Sequence, residues 1–576
     1  MNAHAIAGLL ALNLWLLVVG IVALFGLCGW RSWGELARLS GLAYVLGVAL
    51  LGVVWVWELV VGIDLGFGTI FGSGIVIALI AAVVGYRLGH RLPPRPAGPP
   101  AFRLSPVTAV FGALTAVYLE ALFRDARLHA LTEFDAWHFW VPKAKAIYFF
   151  GGLDEQFFSV LINQSYPPLV PTLQATAFHF MGSADVVTVH LQFWFLFVGF
   201  TGALVGLLSG RVPALFIWPP LLLLLVAPYV IGHAYQPQAD FLLDELLVIA
   251  ALLVALWLAD RQDWQLVAAG ILLAAVMLTK REGYLFAASV IVAGLIVTWG
   301  QRRSAWPRLL ALGLLAAAAT VPWRVLLAVR HLSSGAPEEG GIGLFSNLDR
   351  AWPSLRLALS SAFDYDTWLI VIPIALVAIV AAYAARARVL ATYATLLYVF
   401  AVAGFTYSTW AFPSLGISTN PALNPIVRLT GEIALLTPAL VPLLLAAAWP
   451  RERAALITMR SRATAWILVV VAVLAYPLAV LAGGGPRFPA RSECTHPAKT
   501  DGDIEAVFGR SRNSETAAAL LARVLGLGFQ GSVVEPDGCG YLKVNVKGVP
   551  TLAVGRELAA EAEKVGLHVT LEKSTP

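Results

Sequence analysis

The sequence has few charged residues. Asp, Glu, Lys and Arg make up only 13% of its 576 residues, whereas hydrophobic residues make up 59%. Soluble domains carry about 25% charged residues, so the composition excludes a water-soluble globular protein. It also excludes a disordered chain, which needs low hydrophobicity and high net charge. The net charge is only +5, and no basic stretch with interleaved aromatic residues indicates a nucleic-acid partner.

Cysteine is also scarce, with three residues in the whole chain. Their spacing relative to histidine predicts no zinc site. Cys28 lies in the first apolar run, where we expect it to pack as a small core residue. Cys494 and Cys539 lie in the polar C-terminal tail, where an oxidising compartment favours a disulfide bond between them. Two free thiols are the alternative.

Long apolar runs dominate the rest of the chain. A membrane helix needs about 20 apolar residues, and by that measure the sequence predicts about fourteen spans. The spans lie near 5–29, 40–61, 68–86, 105–123, 185–209, 212–231, 241–259, 264–279, 284–300, 307–329, 367–385, 389–410, 429–449 and 464–483. Two of them, 264–279 and 284–300, are short enough to form one broken element.

The loops on one side of these spans are rich in Lys and Arg, for example 31–38 and 302–308. Such loops face the cytoplasm, so the opposite side and both termini are predicted to be extracytoplasmic. The first apolar run lacks a basic leader and a clear cleavage site, so no cleaved signal peptide is expected. The sequence therefore predicts an all-α, multi-pass protein of the cell (plasma or inner) membrane with a small extracytoplasmic α+β domain.

Three parts follow from this topology. They are an N-terminal three-helix unit with a Pro-rich linker (1–104), a transmembrane core with long outside loops at 124–184 and 330–366 (105–483), and a polar extracytoplasmic tail (484–576). Long loops between membrane helices often carry function. The loop 330–366 is Gly-rich and could close over a substrate as a lid.

The tail has a strand–helix–strand–strand–helix–strand pattern. The predicted elements are 504–508, 514–525, 529–535, 541–546, a helix capped by Thr551 and ending at 565, and 567–571. This order resembles the sporulation-related (SPOR) repeat domain, a small α+β module that binds peptidoglycan glycan strands in its family. A generic α+β cap over the outer face is the alternative.

Ionisable residues collect at the predicted outer ends of the spans. They are Glu58, Glu120, Asp240, Asp244, Glu245, Lys280, Arg281, Glu282, Arg324 and Glu432. Such residues are costly in a membrane and usually mark function, so their one-sided distribution favours a site at the outer surface. A transporter would place some of them near the midplane. The alternative is that each side chain snorkels to water, which is enough to explain Glu58 or Glu432.

The first outside loop is the most informative stretch. Glu133 and Asp135 follow a span, and an aromatic segment with Lys143 and Lys145 comes next. We expect this amphipathic segment to lie in the plane of the membrane interface. The element Tyr166-Pro167-Pro168-Leu169 then makes a stiff turn.

Five motifs occur in a characteristic order. They are Asp135, Tyr166-Pro167-Pro168-Leu169, Asp240, Leu278-Thr279-Lys280-Arg281-Glu282-Gly283 and Val321-Pro322-Trp323-Arg324. Over about residues 105–410 they resemble the GT-C superfamily of membrane glycosyltransferases, in its bacterial branch related to protein O-mannosyltransferases and lipid A aminoarabinose transferase. The resemblance implies a donor sugar linked to a polyprenyl phosphate. It also implies transfer on the extracytoplasmic side, to a protein, lipid or polysaccharide acceptor.

The resemblance implies that Asp135 is the general base for an acceptor hydroxyl. One carboxylate is enough for an inverting displacement, because the phosphate leaves as a stable anion and, unlike a glycosidase leaving group, needs no acid. Many family members have two adjacent acids here, whereas Ala136 follows Asp135 and Glu133 precedes it by two residues. Either acid could be the base, and Asp135 could instead orient the acceptor, bind a metal or cap a helix.

Lys280 and Arg281 are predicted to hold the donor phosphate, with Arg324 and Arg330 as second candidates. The alternative is an ion pair between Lys280 or Arg281 and Glu282 that stabilises a short turn. No Gly-rich phosphate loop is found, which argues against a nucleotide-sugar donor.

The remaining candidates are substrate or metal ligands. Asp240, Asp244 and Glu245 could contact the sugar or a divalent cation such as Mg²⁺ or Mn²⁺, although the spacing of the two aspartates equally suits a polar helix face. His138, with its aromatic neighbours, could stack on a sugar ring or belong to an interfacial belt. Lys143 and Tyr166 of the same loop are further candidates for contact with the substrate or a metal. Two other functions stay open: a lipid or glycan transporter or flippase, and a non-catalytic envelope scaffold that binds peptidoglycan.

Overall fold

A computed structural model of the chain describes residues 3–94, 105–160, 163–332, 348–411, 425–449, 495–537 and 539–574. Over these residues the protein is mostly helical. The helices before the tail are α1 Ala3–Leu27, α2 Trp33–Val60, α3 Phe67–Arg87, α4 Pro106–Ala126, α5 Val141–Phe150, α6 Glu155–Val160, α7 Leu169–Met181, α8 His190–Leu208, α9 Ala214–Leu225, α10 Pro228–His233, α11 Ala239–Asp260, α12 Asp263–Thr279, α13 Gly283–Val297, α14 Arg302–Ala319, α15 Val321–Val329, α16 Ala351–Ala362, α17 Tyr365–Trp368, α18 Val371–Ala384, α19 Arg388–Ala411 and α20 Pro425–Ala448.

Short helical turns of other types connect some of these helices. They are a π-helix at Ala136–Trp140 and 3₁₀ turns at Trp299–Gln301 and Leu348–Arg350. The tail contains β1 Ile504–Ser511, α21 Ser514–Gly526, β2 Val533–Pro536, β3 Leu542–Val549, α22 Leu552–Lys564 and β4 Thr570–Lys573.

Many of the helices have the length and composition of membrane spans. Among the described residues, nine helical segments are long and apolar enough to cross a membrane, and α9, α12, α13 and α18 are shorter apolar helices. Nine of the predicted spans overlap the nine long segments, whereas those near 212–231, 264–279, 284–300 and 367–385 fall on the shorter helices, so the number of fourteen spans stays a prediction. The predicted span 464–483 lies outside the described residues. The chain is therefore a multi-pass helical membrane protein.

The N-terminal helices pack directly on the core. A Cβ atom at Gly47 of α2 would overlap the backbone of α1 at Leu16, and one at Gly206 of α8 would overlap the backbone of α2 at Arg38. Small residues of this kind let membrane helices approach closely. The unit predicted at 1–104 is thus continuous with the rest of the bundle through α2.

The tail forms an antiparallel sheet of order β2-β3-β1-β4 with two helices. Its elements follow the predicted order, and Thr551 caps α22 by accepting a hydrogen bond from the Val554 amide. The second strand begins at Val533 and not at Phe529, because Gly528 and Gly531 have positive φ and the Phe529 amide donates to the Val524 carbonyl oxygen at the end of α21. The Phe529 ring packs on Phe508 in the domain core, with ring centres 5.2 Å apart. Cys539 is disulfide-bonded. Its predicted partner Cys494 lies outside the described residues.

Candidate functional site

Tyr166 brings the first outside loop and the motif at 278–283 together. Its ring stacks on Trp140, with ring centres 5.7 Å apart, and the Arg281 guanidinium lies 5.5 Å from its centre. Burial raises the pKa of the Tyr166 phenol, and the charges of Glu282, Lys280, Arg281 and Asp135 also act on it. The phenol therefore stays protonated and can donate a hydrogen bond at neutral pH. Of the predicted base and the predicted phosphate ligands, Arg281 contacts Tyr166 directly, and Lys280 and Asp135 act on it through their charge.

Asp135 immediately precedes the π-helix Ala136–Trp140. Its side chain makes no capping hydrogen bond to that helix, so the interpretation of Asp135 as a helix cap is not supported. Single π-turns occur frequently at functional sites, where they change the direction in which side chains point.

Helix α5 follows the π-helix and is mostly covered by other helices of the protein. Lys143 and Lys145 are both buried because α5 packs against α7. The Lys143 ammonium group donates a hydrogen bond to the Asn163 carbonyl oxygen at 2.6 Å. Burial, together with the positive charge of Arg281, lowers the pKa of Lys143 to about 7.

An open cleft of about 480 Å³ lies next to Tyr166 and has Arg281 in its lining. Its lining consists of Ser165, Arg281, Arg324, Leu327, Ala328 and Leu332. Arg324 donates to the Tyr284 hydroxyl at 3.2 Å. Ser165 is only 7% exposed, and its hydroxyl has no hydrogen-bond partner among the described residues. Two guanidinium groups and a buried hydroxyl in one cleft are suited to an anionic ligand.

Lys280 lies at the break between α12 and α13. Its ammonium nitrogen is 2.7 Å from Asp240 Oδ1 and 3.3 Å from Glu282 Oε1. The break is tight because a Cβ atom at Gly283 would overlap the Val276 carbonyl group. For Lys280 the structure therefore shows the alternative, an ion pair within the turn, and Arg281 is the member of the predicted pair that lines the cleft.

Arg330 does not belong to the lining of the cleft. Its guanidinium donates to the Leu153 carbonyl oxygen at 2.8 Å and so holds the first outside loop. Of the two second candidates for phosphate binding, only Arg324 is placed to contact a ligand there.

A second cluster of acids lies deeper, between α11 and α20. Asp244, Glu245 and Glu432 are almost fully buried, so the interpretation that they snorkel to water is wrong for these residues. The carboxyl groups of Asp244 and Glu432 lie close enough to each other to interact electrostatically. Gly431 permits this approach, since a Cβ atom there would lie 2.8 Å from Asp244 Oδ2. The pairing of Glu432 is a contact that sequence reasoning missed.

These acids do not form a metal site in the structure. Among the described residues, no group of three or more His, Cys, Asp or Glu side chains could hold a metal ion. Asp240, the first predicted ligand, is instead bound by Lys280. We therefore derive no step through a divalent cation.

The two candidate bases have different surroundings. Burial raises the pKa of Glu133, while the nearby positive charge of His129 lowers it, and the Thr132 hydroxyl donates to its carboxylate at 3.2 Å. His129 in turn contacts Tyr235, whose hydroxyl donates to Asp125. Glu133 thus belongs to a polar network that the sequence did not predict. Asp135, in contrast, acts electrostatically on Tyr166 beside the cleft.

The aromatic residues of the loop also separate into two groups. Phe134 and Trp137 are exposed, and the His138 ring stacks on Phe134 with ring centres 4.5 Å apart. Phe139 and Trp140 are buried. An exposed aromatic group next to a membrane span is typical of an interfacial belt, so the structure favours that interpretation for His138.

A search of the sequence against protein-family models finds no match, and no curated protein sequence matches it. The resemblance to the GT-C superfamily and that of the tail to the SPOR domain therefore stay predictions from sequence motifs.

Proposed function

We propose that the protein is an inverting glycosyltransferase that moves a sugar from a polyprenyl-phosphate donor to an acceptor hydroxyl. The observation that carries the proposal is the cleft lined by Arg281 and Arg324, with Tyr166 linking it to Asp135. A carboxylate beside an anion-binding cleft supplies the two functions that such a transfer needs.

In the proposed reaction, Arg281 and Arg324 bind the donor phosphate, and Ser165 donates a hydrogen bond to it. Asp135 accepts the proton of the acceptor hydroxyl as that oxygen attacks C1 of the sugar. The bond from C1 to the phosphate oxygen breaks at the same time, so the configuration at C1 inverts and the lipid phosphate leaves as an anion. The cationic side chains stabilise the charge that grows on this leaving group.

An apolar groove of about 500 Å³ between α2, α12 and α14 supports a lipid donor. Trp57 lines one end and donates a hydrogen bond to the Ala319 carbonyl oxygen at 2.7 Å. Ala319 ends α14, and Arg324 of the cleft lies on the helix that follows. A hydrocarbon chain in this groove would have its phosphate close to Arg324.

The proposal includes the finer features of the sequence prediction. They are a GT-C-like core with about fourteen spans, a cell-membrane location, an extracytoplasmic site and tail, and a SPOR-like tail that binds peptidoglycan. The acceptor is a protein, a lipid or a polysaccharide, and the basic loops on the other side of the bundle support this orientation.

Replacement of the base tests the proposal. Asp135→Asn keeps the size of the side chain but removes the proton acceptor, so we expect transfer to fall by about 10²–10⁴-fold. The measurement is mass spectrometry of lipid-linked sugars and glycans in deletion cells that express each variant. Glu155→Gln, an exposed acid of the same loop, is the matched control and should keep full activity. Normal glycans with Asp135→Asn would exclude Asp135 as the base.

One observation favours a transporter as a second candidate. Asp244, Glu245 and Glu432 are buried carboxyl groups inside long apolar helices, and such groups are common in transporters. Movement of a glycolipid across proteoliposomes, with no covalent transfer in any assay, would favour this alternative.

A further inference from the structure

The C-terminal domain contacts the loop that carries the two candidate bases. The β2–β3 turn lies against the backbone of Leu128, and a Cβ atom at Gly540 would overlap the Leu128 carbonyl group. Asp537 Oδ1 accepts hydrogen bonds from the amides of Cys539 and Tyr541 at 2.8 and 3.1 Å, so Asp537 is tied to the residues on both sides of Gly540.

Two further contacts accompany this one. Ala130 forms a small apolar cluster with Ala517 and Leu542 of the domain. The Lys145 ammonium nitrogen lies 2.8 Å from Glu515 Oε1 at the start of α21. Lys145 is buried, whereas Glu515 is 68% exposed, so this ion pair connects the membrane part to the surface of the domain.

These contacts lie on both sides of the candidate bases in the sequence. Leu128 and Ala130 precede Glu133 and Asp135, and Lys145 follows them on α5. A segment that is fixed at both ends loses conformational freedom between those ends. The domain is therefore placed to restrict the position of Asp135, although it lines no part of the cleft.

We propose that the C-terminal domain acts as a positioning clamp, which holds the loop 128–145 so that Asp135 faces the cleft. For its catalytic part, this inference rests on the proposed function. The domain then controls the rate of the transfer step and not the affinity for the donor. Gly540, Lys145 and Glu515 are positioning residues, because they act through the loop and do not touch the substrate.

The experiment compares two glycines of the domain that both have positive φ. Gly540→Ala introduces a Cβ atom against Leu128, whereas Gly548→Ala introduces one into open space with a similar φ of 71°. Hydrogen exchange of residues 127–135 is measured on the purified full chain in lipid nanodiscs. We expect Gly540→Ala to accelerate this exchange on the order of tenfold, because the loss of one packing contact typically shifts a local opening equilibrium by about that factor. Gly548→Ala should leave the exchange unchanged. Equal exchange in the two variants would overturn the clamp.

A charge exchange gives a second test that does not depend on the glycines. Lys145→Glu and Glu515→Lys should each accelerate exchange in 127–135, and the double variant should restore slow exchange. Failure of the double variant to restore it, while both single variants stay folded, would also overturn the clamp.

In the transfer assay, Gly540→Ala should lower kcat on the order of tenfold and leave the KM for the donor unchanged. A change confined to KM would overturn the positioning role. If the wild-type chain shows no transfer, the proposed function fails, but the exchange measurements still decide whether the clamp exists.

Discussion

The cleft and the buried acids are neighbours, because Arg281 lines the cleft and Lys280, the residue before it, binds Asp240. The cations of the two regions have different kinds of hydrogen-bond partner. In the cleft, Arg324 donates a hydrogen bond to a tyrosine hydroxyl, and Lys143 on the neighbouring loop donates one to a backbone carbonyl oxygen. Lys280, in contrast, is bound by two carboxylates.

Under the proposed function, this difference separates the residues that bind the donor phosphate from the residues that stabilise the fold. Neutral partners leave the charge of a cation available to an incoming anion, whereas carboxylate partners neutralise it. The buried ion pairs and the carboxyl pair of Asp244 and Glu432 join α11, α12 and α20, so we infer that they hold the helices that support the cleft.

The largest expected effects come from replacing Lys280 and Arg281 by Met, each in a separate variant. Lys280→Met leaves Asp240 and Glu282 without this cation, so the free energy of unfolding should fall by roughly 3–5 kcal/mol. Arg281→Met should weaken binding of a short-chain polyprenyl phosphate by about 10–100-fold, because a charge-assisted hydrogen bond to the phosphate is lost. Thermal denaturation and calorimetry in detergent measure the two effects.

Arg303→Met, an exposed arginine near the start of α14, is the control for both measurements. If Lys280→Met weakened phosphate binding but kept its thermal stability, the assignment of Lys280 to fold stability and of Arg281 to phosphate binding would be wrong.

A smaller effect is expected at the contact between α11 and α20. Gly431→Ala places a Cβ atom against Asp244 and should lower the free energy of unfolding by roughly 1–3 kcal/mol. Gly72→Ala adds the same methyl group to α3, where no atom lies within 4 Å, so its thermal stability should not fall. Equal stability of the two variants would show that the carboxyl pair tolerates separation.

The smallest effect concerns pH. The pKa of Lys143 is about 7, so Lys143 is protonated below this pH and loses its charge above it. Binding of a prenyl phosphodiester, whose own charge is constant, should therefore weaken roughly three- to tenfold between about pH 6 and pH 8. Lys143→Met should abolish this dependence and His138→Gln should keep it. An unchanged pH profile in Lys143→Met would exclude a role for this ammonium group.

Much of the fold could be predicted from local patterns. Apolar runs of membrane length and basic loops indicate the helices, and alternation with capping residues such as Thr551 indicates the elements of the tail. Where the structure differs from the pattern, a local turn or a tertiary contact is the reason. Gly528 and Gly531, both with positive φ, delay the second strand to Val533, and α5 is buried against α7 in spite of its two lysines.

The sequence by itself determined that this is a multi-pass membrane protein, because hydrophobicity and helix periodicity are properties of consecutive residues. It also singled out Asp135, Tyr166, Lys280 and Arg281 as candidates. Only the tertiary structure decided their roles, since the partner of a charge is set by which helices pack together. Lys280 is neutralised by Asp240, 40 residues away in the chain, while Arg281, its direct neighbour, lines the cleft.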